Sequence, residues 1–140
     1  MTLVDVTGYI LTTIRDDPTV AGLTTRVRGG EPAPGDALGP GSYQRFVVLT
    51  RLGAQRQKYL PVQEVRILAA CYGLTHQDAA ALAGAVSDAI HNTGVRLSAG
   101  GVGIWNSWDD SDAGGTTDPD TGQPRSDLVI SVAAATELIP

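Results

Sequence analysis

The sequence is poor in residues that small proteins use for cross-links and catalysis. Its single cysteine, Cys71, excludes an internal disulfide, and the apolar residues around it predict a buried side chain rather than a reactive thiol. A helix between its two histidines, His76 and His91, would hold them roughly 22 Å apart, too far to share a site. Aromatic residues make up only 5% of the chain, so no row of rings is available for stacking on nucleic-acid bases.

Long apolar runs and an excess of positive charge are also absent. No apolar stretch is long enough to cross a bilayer, and the start of the chain, MTLVD, lacks the basic residues of a signal peptide. The net charge of −5 argues against a chain that binds nucleic acid through its overall charge. We therefore expect one soluble domain, residues 1–140, made in a cytoplasm and without a membrane partner.

The clearest pattern that is present is a strand followed directly by a helix, in residues 62–94. Apolar residues alternate along one side of the predicted strand: Val65, Ile67, Ala69 and Cys71. Gly73 ends the strand, and Thr75 stands three residues before Asp78, which is typical of a helix N-terminus. Apolar residues then follow at helical spacing: Leu82, Val86 and Ile90. We expect this helix to fold back over the apolar side of the strand.

The same predicted helix is also apolar on a second side. That side carries small residues: Ala80, Ala81, Gly84 and Ser87. A helix that is apolar most of the way round is usually covered on more than one side. The cover could be the N-terminal helix or another subunit.

The residues before this unit predict one helix, an arm and one strand. A helical stripe runs through Leu3, Val6, Ile10 and Ile14. The sequence Asp16-Asp17-Pro18 should stop that helix, and residues 24–28 could form a short strand. Residues 29–42 form a Gly/Pro-rich arm with little apolar content, which we expect to need a neighbouring subunit for its order. A strand over 46–52 should pair antiparallel with the strand over 62–72.

The residues after the central helix predict a second hairpin with a long acidic loop. Strands are expected over 102–108 and 126–136, and the loop between them, 109–125, contains five aspartates. The order is therefore helix, strand, strand, helix, strand, strand. It predicts an α+β fold in which two helices pack on one face of an antiparallel four-stranded sheet.

We predict no catalytic, metal or cofactor site. The aspartates Asp109, Asp110 and Asp112 invite a calcium site, but Gly114 stands where a third ligand belongs and no Glu closes the loop. The glycine-rich run 100–103 precedes a strand, so it lacks the helix N-terminus that binds phosphates. We therefore interpret residues 109–125 as a solvated acidic loop.

Basic residues cluster on and around the predicted first hairpin. They are Arg45, Arg51, Arg56, Lys58 and Arg66. The outer face of the sheet combines Arg66 with Leu68 and Tyr72, and a half-apolar exposed face is a possible contact surface. All seven residues are therefore candidates for a contact between subunits, since the basic ones could meet acidic loops of a neighbour as readily as nucleic acid.

Several of these segments together resemble one known family. A short N-terminal helix ends in Asp17-Pro18, and a Pro-rich arm follows. A strand then runs through VRILAACYGLT into an Ala-rich helix, and a late loop contains DPDTG at residues 118–122 before the closing strand. This pattern, which extends from Leu3 to Val132, resembles the tail terminator (tail-completion) proteins of long-tailed bacteriophages.

The resemblance implies a protomer that forms a hexameric ring. Such a ring caps the tail tube, presents a surface to the head–tail connector and lets DNA pass through its lumen, without enzyme activity or a cofactor. We therefore expect Asp109, Asp110 and Asp112 near the lumen or an exposed rim, where acidic groups would let DNA slide. The protein would assemble in the bacterial host cytoplasm and become part of the virion. Two alternatives stay open: another phage neck or tail adaptor, or a small α+β hydrolase or ligand-binding domain.

Overall fold

Over the described residues, three helices pack on one face of a five-stranded sheet. The structure, a computed structural model, describes residues 6–56, 62–92 and 104–135; for 54–56, 92, 104–106, 110–114 and 135 it describes the backbone only. The helices are α1 (Val6–Asp16), α2 (Pro18–Leu23) and α3 (His76–Asn92). The strands are β1 (Val27–Gly29), β2 (Phe46–Arg56), β3 (Val62–Tyr72), β4 (Ile104–Thr117) and β5 (Pro124–Ala135). Of these helices, none has both the length and the apolar character needed to cross a membrane.

The sheet is mixed, with the strand order β1-β2-β3-β5-β4. β1 runs parallel to β2, whereas the pairs β2–β3, β3–β5 and β5–β4 are antiparallel. The predicted α+β class is therefore confirmed, but the prediction of an antiparallel four-stranded sheet with two helices is wrong. The sequence pattern missed one helix and left the short edge strand only as a possibility over residues 24–28, without its parallel pairing.

The missed helix, α2, begins directly after Asp17, where the sequence predicts only the end of the first helix. Asp17 ends α1 and at the same time caps α2, because its Oδ1 accepts hydrogen bonds from the backbone N–H groups of Thr19 and Val20 at 3.0 and 3.2 Å. Pro18 then occupies the first turn of α2, where its missing N–H is not needed. The chain therefore turns at Asp17-Pro18 and continues as a helix, which buries Val20 in the core.

The core lies between β3 and α3, as the sequence predicts. The predicted apolar side of β3 and the predicted stripe of α3 belong to one buried cluster: Val65, Ile67, Ala69, Cys71, Leu82, Val86 and Ile90. From α1, Val6, Ile10 and Ile14 join the same cluster. Cys71 is fully buried, and burial together with the nearby Asp127 charge raises the pKa of its thiol to about 12. Such a thiol stays protonated and serves as a small apolar side chain.

A close approach of two backbones makes the turn between β3 and α3 so short. A Cβ atom on Gly73 would lie 2.3 Å from the backbone nitrogen of Ala79, so no side chain fits there. Thr75 caps the helix as predicted, since its Oγ1 accepts a hydrogen bond from the N–H of Asp78 at 3.1 Å. The carboxylate of Asp78 in turn accepts the N–H of Leu74 at 2.8 Å.

The small-residue side of α3 is not covered by the N-terminal helix. Ala80, Ala81 and Gly84 are exposed, and a Cβ atom on Gly84 would meet nothing within 4 Å. α1 lies beside α3 and contacts β1, β2 and β3, so its buried side chains join the core on the sheet side of α3. The part of the small side around Ala80, Ala81 and Gly84 is therefore open, whereas Ser87 is half-buried and bonds Asp109.

The acidic segment 109–125 is not a loop, and that prediction is wrong. β4 continues to Thr117, and only residues 118–123 connect it to β5. Irregularities in the pairing with β5 absorb the extra residues of β4 at three places: Ile104/Asn106, Asp109/Ser111 and Asp112/Gly114. The backbone hydrogen bonds that β5 provides along β4 thus outweigh the low preference of Asp and Gly for strands. Leu3, Lys58, Gly94 and the run 100–103 lie outside the described residues.

The 29–42 arm is tied to its own chain through Asp36, and the expectation that it needs a neighbouring subunit for its order stays a prediction. Its Asp36 is fully buried and accepts hydrogen bonds from Arg26 Nη1 and Arg28 Nε at 2.9 and 3.0 Å, and from the N–H of Ala33 at 2.8 Å. Burial alone would raise the pKa of Asp36, but the hydrogen bonds from Arg28, Ala33 and Arg26 outweigh it and lower that pKa. The arm therefore packs around a buried, paired carboxylate, because it has few apolar side chains to bury.

Candidate functional site

The predicted basic cluster is divided between the start and the middle of the β2–β3 hairpin. Arg45 stands just before β2, and its Nε donates to both carboxylate oxygens of Asp78 at 3.1 and 2.9 Å. This pairing ties the start of β2 to the first turn of α3. The hydrogen bond from Arg45 is the main reason why the pKa of Asp78 is lowered. Arg45 thus has a role within its own chain, and its predicted role in a subunit contact stays a prediction.

The middle of the hairpin presents Arg51, Leu52 and Arg66 to solvent. The pairing of β2 with β3 shifts between Arg51 and Gly53, so Leu52 is an extra residue in a β-bulge. Leu52 is 49% exposed, the largest value among the exposed large apolar side chains of the described residues. Arg56 belongs to β2 by its backbone. The middle of the hairpin therefore combines exposed basic and apolar groups, as contact surfaces often do.

The outer face of the sheet is less open than its sequence pattern predicts. Tyr72 is only 8% exposed and stacks on Phe46, with ring centroids 4.1 Å apart and planes 8° apart. Together with Val48 and Ala70 these rings form a second, smaller buried cluster. Leu68 is half-buried further along β3. Tyr72 is therefore a core residue of this face rather than an exposed contact.

The carboxylate of Asp109, in β4, faces α3. His91 at the C-terminal end of α3 places Nε2 at 2.8 Å from Asp109 Oδ1 and Nδ1 at 2.7 Å from Ser107 Oγ. Ser87 Oγ donates to the same carboxylate, at 3.1 and 3.2 Å from its two oxygens. These contacts hold the middle of β4 against α3. Asp110 and Asp112 belong to β4 by their backbone, and a lumen or rim position for all three aspartates stays a prediction.

The cluster around His91 could not be recognised from the sequence. A helix C-terminus favours a histidine there, but its partners stand 16 and 18 residues later: Ser107 near the end of a predicted strand and Asp109 at the start of the segment interpreted as a loop. The Asp36 cluster left a better signal. Arg26 and Arg28 stand two residues apart in the predicted short strand, and the acidic residue Asp36 follows ten positions after Arg26.

A cleft between α2 and the start of β2 offers little for acid–base chemistry. It has a volume of about 410 Å³ and is lined by Leu23, Thr24, Thr25, Arg26, Tyr43, Gln44, Arg45 and Leu74. The arginines that line it pair with Asp36 and Asp78, and both carboxylates have lowered pKa values. A general acid or base near neutral pH would need a raised carboxyl pKa. Among the described residues, no three His, Cys, Asp or Glu side chains gather as metal ligands.

The fold is similar to that of a chain in a solved structure described as the virion of a native gene transfer agent (GTA) particle. The two sequences are 20% identical, and the match covers 90% of this chain and 91% of the other with a TM-score of 0.66. A likeness at this identity shows a common fold. Comparison with protein families and with curated proteins gives no match.

Proposed function

We propose that this chain is a structural protein of a virion and, more specifically, a tail terminator that caps a phage tail tube as a ring. The likeness to a chain of a gene transfer agent virion supports this most strongly, because it extends over nine-tenths of both chains. The sequence resemblance to tail terminators, with its CYGLT and DPDTG segments, points to the same class independently.

The proposed ring needs surfaces by which one subunit meets the next and by which the ring meets its neighbours. The protomer has such surfaces in three places: the middle of the hairpin near Leu52, the small side of α3 near Gly84 and the acidic strand β4. A repeated contact between different surfaces closes into a ring when its rotation divides a full turn. We infer six subunits from the resemblance, with the tail tube on one side, the head connector on the other and DNA passing through.

We further propose that the protein has no enzymatic activity of its own. Its most perturbed carboxylates are held ionised by arginines, and the chemistry that they support is structural. A second candidate, another neck or tail adaptor, shares the virion setting. An adaptor would bind the head connector but not the tail tube, which separates the two functions.

The test is native mass spectrometry of the full chain, alone and after mixing with the major tail tube protein or with the head connector protein of the same virion. A hexamer that binds the end of the tube supports the tail terminator. A ring that binds the connector and ignores the tube supports the adaptor. A chain that stays monomeric in every mixture would rule out both.

A further inference from the structure

A narrow groove lies between the exposed side of α3 and the start of β5. Its volume is about 130 Å³, and it is lined by Ala80, Ala83, Gly84, Ser87, Ser126 and Leu128. The groove is open because α3 carries only small residues there: a Cβ atom on Gly84 would meet nothing within 4 Å. An engineered protein cavity of about 150 Å³ binds one benzene molecule, so this groove has room for the end of one side chain but not for a folded segment.

The groove is lined by a buried hydroxyl group without a partner. Ser126 is only 4% exposed, and its Oγ makes no hydrogen bond with any described residue. Buried hydroxyl groups are normally hydrogen-bonded, because an unpaired one costs free energy. Asp109, close by on β4, is already held by Ser87 and His91 of its own chain. Ser126 is therefore the acceptor that the groove offers to an incoming group.

The surroundings of the groove favour a donor with a positive charge and an apolar stem. α3 and the neighbouring β4 contain no lysine or arginine but five aspartates: Asp78, Asp88, Asp109, Asp110 and Asp112. Ala80, Ala83 and Leu128 offer apolar contact to the methylene groups of a long side chain. Arginine combines such a stem with five N–H donors, so it suits this groove better than a neutral or acidic side chain does.

Arg51 is an arginine that can fill this role, and it lies on β2. Its side chain is exposed and forms no ion pair or hydrogen bond with a described residue. β1 pairs with β2 only as far as Leu49, two positions before Arg51, so β1 leaves Arg51 open. Four other arginines each pair with an aspartate of their own chain: Arg26, Arg28, Arg45 and Arg125.

Arg51 cannot reach the groove of its own chain. The strand order places β3 and β5 between β2 and β4, which sets β2 and β4 roughly 14 Å apart at ordinary strand spacing. The buried side chains of Ile67 and Ile130 occupy the space between, level with Arg51. The arginine and the groove therefore lie toward opposite edges of the sheet, and a second copy can supply the arginine.

We propose that Arg51 of one copy inserts into the groove between α3 and β5 of the next copy and donates a hydrogen bond to Ser126. The contact joins two different surfaces, so it repeats head to tail and can close into a ring. Two grooves that faced each other would bring aspartates together, and two copies of Arg51 would repel, so the charges disfavour both symmetric contacts. The inference rests on the proposed ring and specifies the contact that builds it.

Blocking the groove and removing the arginine test the contact from both sides. Gly84→Leu should fill the groove without disturbing the core, and Arg51→Ala should leave it empty. Each should raise the concentration for half-assembly by about tenfold or more in analytical ultracentrifugation. The matched controls are Gly22→Leu, at an exposed glycine of α2 with nothing within 4 Å of an added Cβ, and Arg15→Ala, at an exposed position of α1. Both controls should assemble like wild-type protein.

An equal mixture of the two variants gives a sharper readout, because the contact has a direction. A Gly84→Leu copy keeps its arginine and an Arg51→Ala copy keeps its groove, so one contact forms between them and no second one follows. Native mass spectrometry, well above the concentration for wild-type assembly, should show a dimer with one copy of each and nothing larger. Dimers of either variant alone would indicate a symmetric contact and overturn the proposal. A mixture that contained only monomers would overturn it as well.

Ser126→Ala separates the proposed hydrogen bond from a structural role of the serine. Removal of an unpaired hydroxyl should leave the Tm unchanged or raise it slightly, whereas assembly should weaken several-fold because the guanidinium loses its acceptor. Arg51→Lys should weaken assembly less than Arg51→Ala does, since lysine keeps the charge and the stem. A Ser126→Ala variant that lost stability and kept its assembly would show that Ser126 is not the acceptor.

The outcomes separate the contact from the function. If wild-type protein forms rings and both Arg51→Ala and Gly84→Leu form them equally well, the contact is wrong and the ring stands. If wild-type protein forms an open filament and the mixture still gives the mixed dimer, the contact stands and the closed ring fails. If Gly22→Leu loses assembly as much as Gly84→Leu does, the effect is general and the contact is again wrong.

Discussion

β3 and β4 belong to one sheet, but their sequences specify them in different ways. β3 lies between β2 and β5, pairs over its whole length with β5 and buries one face under α3. Among the described strands β4 pairs with β5 alone, through three irregularities, and it contains three Asp and two Gly residues. The comparison shows that alternation predicts a strand where a face is buried, whereas an edge strand depends on the partner beside it.

The largest effect should come from the core that β3 shares with α3. Leu82 is 1% exposed and packs in the cluster that contains the inner side of β3. Leu82→Ala should lower the free energy of unfolding by about 2–5 kcal/mol, since it removes buried apolar atoms and leaves a cavity. Leu52→Ala, at a 49% exposed site, is the matched control and should change it by less than about 0.5 kcal/mol. Equal effects in chemical denaturation would contradict this packing.

The turn that joins β3 to α3 should be the next most sensitive point. Gly73→Ala would force a Cβ atom to within 2.3 Å of the Ala79 backbone nitrogen, so we expect a loss of about 1–3 kcal/mol. Gly84→Ala makes the same change in α3, where the added Cβ meets nothing within 4 Å. That variant should instead gain up to about 1 kcal/mol from helix propensity. Thermal unfolding of both variants checks the prediction, and a neutral Gly73→Ala would refute the close approach.

The strand-to-helix unit was predictable because its signals are local. The alternation of β3, Gly73, the Thr75 cap and the stripe of α3 all occur within thirty residues, and the structure reproduces β3 with the predicted bounds. The first hairpin was recovered for the same reason. Where an element depends on a distant partner, as β1 depends on β2 and β4 on β5, the local pattern was not sufficient.

The site was harder to predict than the fold, because its geometry comes from contacts between segments. The sequence grouped Arg45 with Arg51 and Arg66, but Arg45 precedes β2 and pairs with Asp78, while Arg51 and Arg66 lie further along the hairpin. It also placed Tyr72 on an open face, where the stacked ring of Phe46 closes that part of the face. Side-chain partners of this kind depend on the folded register and leave no periodic signal.

The edge opposite β4 is held by a buried charge, and this gives a pH-dependent prediction. The pKa of Asp36 is lowered in the folded state, so its stabilising contribution is complete above about pH 4, the range of an ordinary carboxyl. That contribution is lost as the pH falls below this value toward the lowered pKa. Asp36→Asn should cost about 1–3 kcal/mol at pH 7, because Arg26 and Arg28 lose a charged acceptor.

The control for this variant is Asp16→Asn, which makes the same charge change at an exposed site. Denaturant titrations between pH 3 and pH 7 should show that the gap between wild-type and Asp36→Asn protein narrows at the acidic end. Asp16→Asn should follow the wild-type curve throughout. If the difference in free energy of unfolding between wild-type and Asp36→Asn protein stayed constant with pH, the shape of the Asp36 side chain rather than its negative charge would hold the arm.

The smallest effect should come from the contacts that hold β4 to α3. His91→Ala removes the hydrogen bonds to Asp109 and Ser107, and because these groups are partly exposed we expect a loss below about 1 kcal/mol. The change should be local, so hydrogen exchange should speed up at the β4 amides around residues 107–109 while β3 keeps its protection. Gln77→Ala, at an exposed position of the same helix, should leave both strands unchanged. If His91→Ala exposed β3 and β4 together, the edge strand would be part of the cooperative core, and the contrast between the two strands would disappear.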